Sequence, residues 1–367
     1  MSPARKGGTS FPVEPPIKPM LAKLTSALPE DDGYLFEPKW DGFRAIVFRG
    51  HAEVYIQSRD RRPFDRYFPE LHDAFLEVLP DGCVLDGEIV IVSDGGLDFD
   101  ALQMRIHPAE SRVDKLAKEM PSSFVAFDLL AADGTDLMGE PQADRRAALE
   151  RLLDGVQPPV HLTPMTRDRG VAERWLERFE GAGLDGVIAK REGAAYQPGK
   201  RSMLKIKHER TADVVVAGFR WHKSGPDAIG SLLLGIHDER GVLQHVGVTS
   251  SFTMAKRRQL VDELAPLREG ALEGHPWADP AESRPGDRVP GGPSRWSGGK
   301  DLSWEPLRPE RVAEVKYDHL QGDRFRHATT FLRWRPDKQP ADCRYDQFEE
   351  PKPYELDEVF SSGRGGS

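Results

Sequence analysis

Hydrophobic and polar positions change period several times along the chain. Residues 34–50, YLFEPKWDGFRAIVFRG, carry two short apolar runs on either side of Lys-Trp-Asp-Gly. The second run, FRAIVF, is β-branched and aromatic with glycine before and after it, which predicts two strands flanking a turn. CVLDGEIVIVSDG (83–95) predicts a further strand pair, and SSFVAFDLLAADG (122–134) a buried strand ending in a turn. Helical spacing fits DRYFPELHDAFLEVL (65–79), DRRAALERLLDG (144–155) and VAERWLERFEGAG (171–183). In the second of these Asp144 is the expected N-cap and Gly155 the expected stop.

After Lys207 the pattern becomes that of a β domain. ADVVVAGFRW, GSLLLGIHD, VLQHVGVTS, RVAEVKYDHL and HATTFLRWR are five strand candidates, and one helix candidate, TMAKRRQLVDELAPLREG, falls after the third. Five strands with a helix between the third and fourth predict an OB-fold barrel. The Pro/Gly-rich stretch 275–299 is too polar to pack and reads as a loop. The expected organisation is a disordered segment over 1–16, a first domain over 17–208, the OB-fold domain over 209–348 and a flexible tail over 349–367.

Composition narrows the function classes. The chain has 367 residues, 38% hydrophobic and 30% charged, as in a globular protein of two domains. No apolar run approaches the ~18–20 residues that span a bilayer, and the N-terminal stretch lacks the apolar core of a secretory signal. A cytoplasmic location is expected. Two cysteines, Cys83 and Cys343, exclude a four-cysteine zinc site and a disulfide framework. The net charge of -9 argues against a protein that coats DNA, but charge is unevenly spread. Between Lys190 and Arg210 seven basic residues face two acids, and between Arg311 and Lys338 seven face four. Two positive stretches in an acidic body suit a phosphate-binding cleft.

The chemistry centres on Lys39-Trp40-Asp41-Gly42. A lysine attacks phosphorus only as the neutral amine, so its usual pKa of ~10.4 has to fall. Neighbouring cations and desolvation both act in that direction. Gly42 is expected to let the chain turn tightly beside a phosphate. Lys205 and Lys207 alternate on one strand and are expected to share a face. Further along come Ser58-Arg59, Leu85-Asp86-Gly87-Glu88, Phe127-Asp128, Asp185-Gly186-Val187-Ile188-Ala189-Lys190, Leu204-Lys205-Ile206-Lys207 and Arg335-Pro336-Asp337-Lys338. In this order the set resembles the motifs of the covalent nucleotidyltransferases, which comprise ATP-dependent DNA ligases, RNA ligases and mRNA capping enzymes. PMLA (19–22), FEPKWDGFR (36–44), YQPGKRS (196–202) and TTFLRWRPDK (329–338) are most similar to the small bacterial ligases of the ligase C type and the ligase module of ligase D. The resemblance covers about residues 17–345.

The resemblance implies an α+β chain, an ATP-grasp-like nucleotidyltransferase domain followed by the OB-fold barrel. It implies an ATP-dependent DNA ligase that seals nicks through a lysyl-AMP intermediate in DNA repair, with Lys39 as the nucleophile. Glu37 would lie near the adenine amino group and Phe127 would stack on adenine, although Phe127 also reads as a core aromatic. Arg44, Arg59 and Arg201 would bind nucleotide and DNA phosphates, and Lys205 and Lys207 the α-phosphate. Glu88 would serve the ribose or a metal. Asp185 stands where the superfamily more often has glutamate, so contact with the metal through water is the expectation there. Arg335, Asp337 and Lys338 would swing in to orient pyrophosphate about a hinge near 207–211. ATP with Mg²⁺ or Mn²⁺ is the implied cofactor set. The implied partners are nicked double-stranded DNA and a repair polymerase or primase-polymerase, with no membrane and a monomeric chain. Two other readings stay open at this point: an RNA ligase or GTP-using capping enzyme, and a non-catalytic OB-fold DNA-binding protein.

Overall fold

Strands that are buried along nearly their whole length set the architecture of the N-terminal half. The computed structural model describes residues 11–93, 96–207, 210–278, 286–291, 302–318, 320–348 and 356–361. Contacts divide it into two units, 1–208 together with 351–367, and 209–350.

In the first unit β1 (Leu21–Thr25), β2 (Tyr34–Pro38), β8 (Val187–Arg191) and β9 (Arg201–Ile206) form a four-stranded sheet in the order β1-β9-β8-β2. A second sheet takes the order β7-β6-β5-β3-β4, with β3 at Phe43–Arg49, β4 at Val54–Ser58, β5 at Cys83–Val90, β6 at Ser123–Ala132 and β7 at Val160–Leu162. Both β2 and β5 are buried almost throughout, the pattern of strands covered on both faces. The residues 39–42 link β2 of one sheet to β3 of the other, so the Lys-Trp-Asp-Gly stretch is a crossing between sheets. Helices α1 (Pro69–Val78) and α4 (Gln142–Leu152) bury Leu71, Phe75 and Leu149 against the second sheet, while α5 (Arg169–Arg178) packs Ala172 and Trp175 with β2 and β8. Two further helices are α2 (Phe99–Met104) and α3 (Glu110–Glu119).

Four local expectations need correction. The stretch 275–299 does pack where it is described: His275 is 7% and Trp277 1% exposed, and the Trp277 indole N–H donates to the Leu243 carbonyl at 2.7 Å. Helix α4 starts at Gln142 after Pro141, and Asp144 lies in its first turn without capping it. The reason is Arg145, fully buried, whose guanidinium grips Asp128 at 2.8 and 3.0 Å and needs this turn already helical. The segment 1–16 is not wholly loose: Phe11 is buried and its ring meets Phe48 edge-on at 5.7 Å. The tail over 349–367 contains the helix α7 (Leu356–Ser361), which buries Leu356 and Val359 in the core of the first unit. Residues 1–10, 349–355 and 362–367 lie outside the described residues.

The second unit is a five-stranded antiparallel sheet in the order β12-β11-β10-β13-β14, formed by β10 (Arg210–His222), β11 (Gly225–His237), β12 (Leu243–Thr249), β13 (Glu305–Tyr317) and β14 (Thr330–Trp334). Helix α6 (Met254–Leu264) stands between the third and fourth strands, capped by the Thr253 hydroxyl. A parallel bridge between Thr249 and Thr329 closes the sheet on itself, with the Thr329 N–H donating to the Val248 carbonyl at 2.8 Å. Five strands, closure and the helix position make this an OB-fold barrel. Among the described residues no helix is long and apolar enough to cross a membrane.

Candidate active site

Lys39 is fixed by its place at the end of β2. Its backbone N–H donates to the Gly186 carbonyl at 2.8 Å, and the Asp185 N–H returns to the Lys39 carbonyl at 2.9 Å. The two bonds set the side chains of residues 39 and 185 together. Lys39 Nζ lies 2.5 Å from Asp185 Oδ2, and Lys207 Nζ reaches the same oxygen at 3.0 Å. Burial alone would raise the Asp185 carboxyl, but Lys39 and Lys207 overcome it and hold the group below the usual carboxylate range. Gly186 has a φ of +136°, and a Cβ there would fall 2.0 Å from the Ile206 carbonyl oxygen. Only glycine lets this turn lie against the end of β9, beside Lys207. Gly42 also sits at a close approach of backbone. A Cβ at 42 would lie 2.1 Å from the Ile89 carbonyl and 3.0 Å from Glu88 Cγ, so the missing side chain brings the crossing against the strand that carries Glu88.

Both sheets contribute to one cavity of about 240 Å³, lined by Glu37, Lys39, Trp40, Arg44, Arg59, Glu88, Phe127, Ile188, Lys190, Arg201, Met203 and Lys205 among others. Phe127 reaches it because of a bulge. The register between β5 and β6 slips between Asp86 and Gly87: Asp86 faces Asp128, Gly87 faces Ala126, and Phe127 is the extra residue. Such a bulge turns a side chain off the regular alternation. The Arg44 guanidinium and the Lys190 ammonium stand 5.2 and 4.9 Å from the centre of its ring.

Cavity charge is arranged in pairs and singles. Glu37 is 2% exposed, and its Oε2 meets Lys190 Nζ at 2.8 Å, while Oε1 has no hydrogen-bond partner among the described residues. Burial holds this carboxyl above its ordinary value despite Lys190 and Arg146. Lys190 also donates to the Phe127 carbonyl at 2.7 Å, tying the acid and the ring to one ammonium. Arg44 is gripped by Asp86 at 2.9 and 2.6 Å and donates to the Met20 carbonyl at 2.7 Å; the Tyr196 hydroxyl donates to Asp86 at 2.7 Å. The Glu88 side chain makes no hydrogen bond or ion pair among the described residues, and burial, offset only in part by Lys39 and Arg44, pushes its carboxyl up to about 7. Arg59, Arg201 and Lys205 line the cavity with no acidic partner among the described residues. Burial, and then Lys207 and Lys39, hold the Lys205 ammonium below its ordinary value.

The motif residues of the second unit pair within that unit. Arg335 is held inside its own unit by Asp213 at 2.9 Å and Asp337 at 2.8 Å, and Lys338 stands 3.9 Å from Asp213. Sequence reasoning passed over four residues of this machinery: Lys190, Asp86, Tyr196 and Asp213. Lys190, Asp86 and Tyr196 lay inside quoted motifs, and only their buried pairing separates them from ordinary residues of those stretches.

The model of the ATP-dependent DNA ligase domain matches residues 19–207, and that of the ATP-dependent DNA ligase C-terminal region matches 225–338. DNA ligase C2 of Mycolicibacterium smegmatis is 55% identical over 348 residues, 93% of this chain and 96% of that protein. The chain belongs to the ATP-dependent DNA ligase family. The multifunctional non-homologous end joining DNA repair protein LigD of Mycobacterium tuberculosis is 31% identical over 332 residues, 89% of this ligase and 39% of LigD. A solved Lig E DNA ligase structure covers 86% of this chain and 99% of its own with a TM-score of 0.52 at 16% identity, a likeness of fold alone. The ligase is an enzyme that uses ATP to join DNA, and the RNA-ligase, capping and non-catalytic readings fall away.

Proposed function

We propose that this ligase seals nicks through Lys39. The Lys39 amine attacks the α-phosphorus of ATP; a P–N bond forms, the bond to the β-phosphate oxygen breaks and pyrophosphate leaves. AMP then passes from Lys39 to the 5′-phosphate at a nick, and the 3′-hydroxyl attacks that phosphate as AMP departs. The observation that carries this reading is the grouping of Lys39 with three cations, Arg59, Arg201 and Lys205, that have no acidic partner among the described residues. Arg59 and Arg201 are exposed at the cavity and Lys205 is half-buried; such a cluster around one cavity suits an anion, and phosphate suits arginine forks in particular.

The other residues divide the work. Oε1 of Glu37, which has Arg146 Nη1 at 3.6 Å but no hydrogen bond among the described residues, accepts from the adenine amino group, and the face of Phe127 stacks on the base. Arg44, Arg59 and Arg201 hold nucleotide and DNA phosphates; Lys205 and Lys207 neutralise the α-phosphate. Arg335, Asp337 and Lys338 orient pyrophosphate for in-line departure after a movement about a hinge near 207–211. A divalent metal, Mg²⁺ or Mn²⁺, fits the donor set. The described residues form no group of three or more acidic, His or Cys side chains able to cage one, and Mg²⁺ prefers one or two carboxylates with phosphates and water. The unpartnered Glu88 is the side chain that would hold it, with Asp185 reaching it through water because its Oδ2 already faces two ammonium groups. Bound there, the metal supplies neutralisation of charge on the phosphates.

The substrate is a nick in duplex DNA, in the cytoplasm, and the chain acts as a monomer. A role in repair beside a repair polymerase or primase-polymerase draws support from the likeness to LigD. Sealing of nicked DNA and nicked RNA, each with ATP and with GTP, tests the reading. Sealing of nicked DNA with ATP alone is expected, with none in Lys39→Ala. Equal sealing of the RNA substrate, or activity in Lys39→Ala, contradicts it.

A further inference from the structure

The nucleophile loop is backed by a part of the chain that none of these steps uses. Helix α7 returns to the first unit after the barrel and buries Leu356 and Val359 among Trp40, Trp175 and Phe179. Phe360 stacks on the Trp40 indole, centroids 5.2 Å apart at 22°, and on the His161 ring at 4.6 Å and 19°. Trp40 directly follows Lys39, is 4% exposed, and donates its indole N–H to the Thr163 hydroxyl at 2.8 Å. One face of the indole is therefore held by a ring from the C-terminal helix and one edge by a strand-end hydroxyl.

We propose that Phe360 is a positioning residue for adenylate formation, acting on Lys39 through Trp40. The inference rests on Lys39 being the nucleophile. The main chain at 39 is pinned to Asp185 and Gly186 by two hydrogen bonds, so the next fixed point along the crossing is Trp40. Attack on phosphorus needs the amine in line with the departing pyrophosphate, and a displacement of about 1 Å at such a centre costs up to ~100-fold in rate. Without the Phe360 ring the indole pivots about its Thr163 bond, and the crossing that bears Lys39 shifts with it. An aromatic pair at this spacing orients its partner beyond what apolar burial does.

Two steps of one reaction separate positioning from plain stability. Adenylate formation needs the free amine of Lys39, whereas sealing a nick that already carries AMP on its 5′-phosphate does not. In the full-length chain Phe360→Ala is expected to slow single-turnover Lys-AMP formation at saturating ATP by about tenfold. The ATP concentration at half-maximal rate should stay within about twofold, as should the sealing of pre-adenylylated nicks. Phe360→Tyr should restore the rate. Phe360→Leu, which keeps apolar bulk without the ring, should show the same selective slowing and carries the test if the alanine variant does not fold. A parallel loss of both steps, no loss in either, or a loss confined to ATP affinity overturns the proposal. Adenylate formed by Lys39→Ala marks a different failure, that of the nucleophile assignment beneath it.

Discussion

Replacing Glu37 by glutamine keeps the side chain's shape and removes its charge, and the structure sets two separable consequences. Oε1 is buried with Arg146 Nη1 at 3.6 Å and no hydrogen-bond partner among the described residues, so an N–H of the bound base completes it. A hydrogen bond to a charged group contributes ~1.5–3 kcal/mol, equivalent to ~10–150-fold in preference at 1.4 kcal/mol per decade. ATP presents an amino group there and GTP a carbonyl, whose lone pairs face the carboxylate. Glutamine can turn its amide and donate to the carbonyl, so the preference for ATP should collapse by roughly that factor. The second consequence concerns Lys190, 2.8 Å from Oε2. Removing one member of a buried ion pair costs ~3–5 kcal/mol. The lower end applies here, because Lys190 keeps the Phe127 carbonyl at 2.7 Å and the ring at 4.9 Å, and because burial already opposes ionisation of Glu37. The assay compares protein-nucleotide adduct formed from labelled ATP and labelled GTP at equal concentrations, on protein shown by thermal melting to be folded. An unchanged ATP-to-GTP ratio, with both adducts reduced alike, refutes the reasoning and makes Glu37 structural.

Phe127→Ala should raise the ATP concentration for half-maximal adenylation ~5- to 150-fold, the ~1–3 kcal/mol of a base-aromatic stack, while Phe127→Trp stays near wild type; a loss of turnover at unchanged ATP requirement would place the ring elsewhere. The Glu88 carboxyl stands at about 7 in the folded chain, above its unfolded value of ~4.3. Its contribution to stability is then complete below ~4.3 and lost as pH rises through 7. Thermal melts should show Glu88→Gln gaining on wild type by up to ~1.4 kcal/mol per unit of that shift between pH 5 and 8, and parallel curves would remove the burial argument. Sealing should fall steeply with salt in the range of ~50–200 mM, and the pure protein should join nicks far better than blunt ends; efficient blunt joining in a gel assay contradicts the second expectation.

The elements that carry the site were the easiest to read from sequence, because their signals are local. FRAIVF and its flanking glycines announce β3, and the five β candidates with one intervening helix announce the barrel. The failures depend on distant partners. Whether Phe127 belongs to the core or the cavity is decided by a register slip against β5, which no window around 127 records. Asp144 has the composition of a cap, but the Arg145–Asp128 pair moves the start of α4 upstream. Leu356, Val359 and Phe360 are three apolar residues in a polar terminal stretch, and their packing against Trp40 spans more than 300 positions of chain. Lys190 and Asp213 were legible as residue types, while the partners that define them, Glu37 and Arg335, sit in other strands or loops.

The most direct test is the chemical location of AMP. Incubate the ligase with ATP and metal, quench, digest, and map the nucleotide by mass spectrometry under conditions that spare the acid-labile P–N bond. The expected product is a single peptide containing Lys39, heavier by one AMP and absent from Lys39→Arg. AMP on Lys205, Lys207 or any other side chain, or an unmodified Lys39 peptide in protein that seals nicks, contradicts the account.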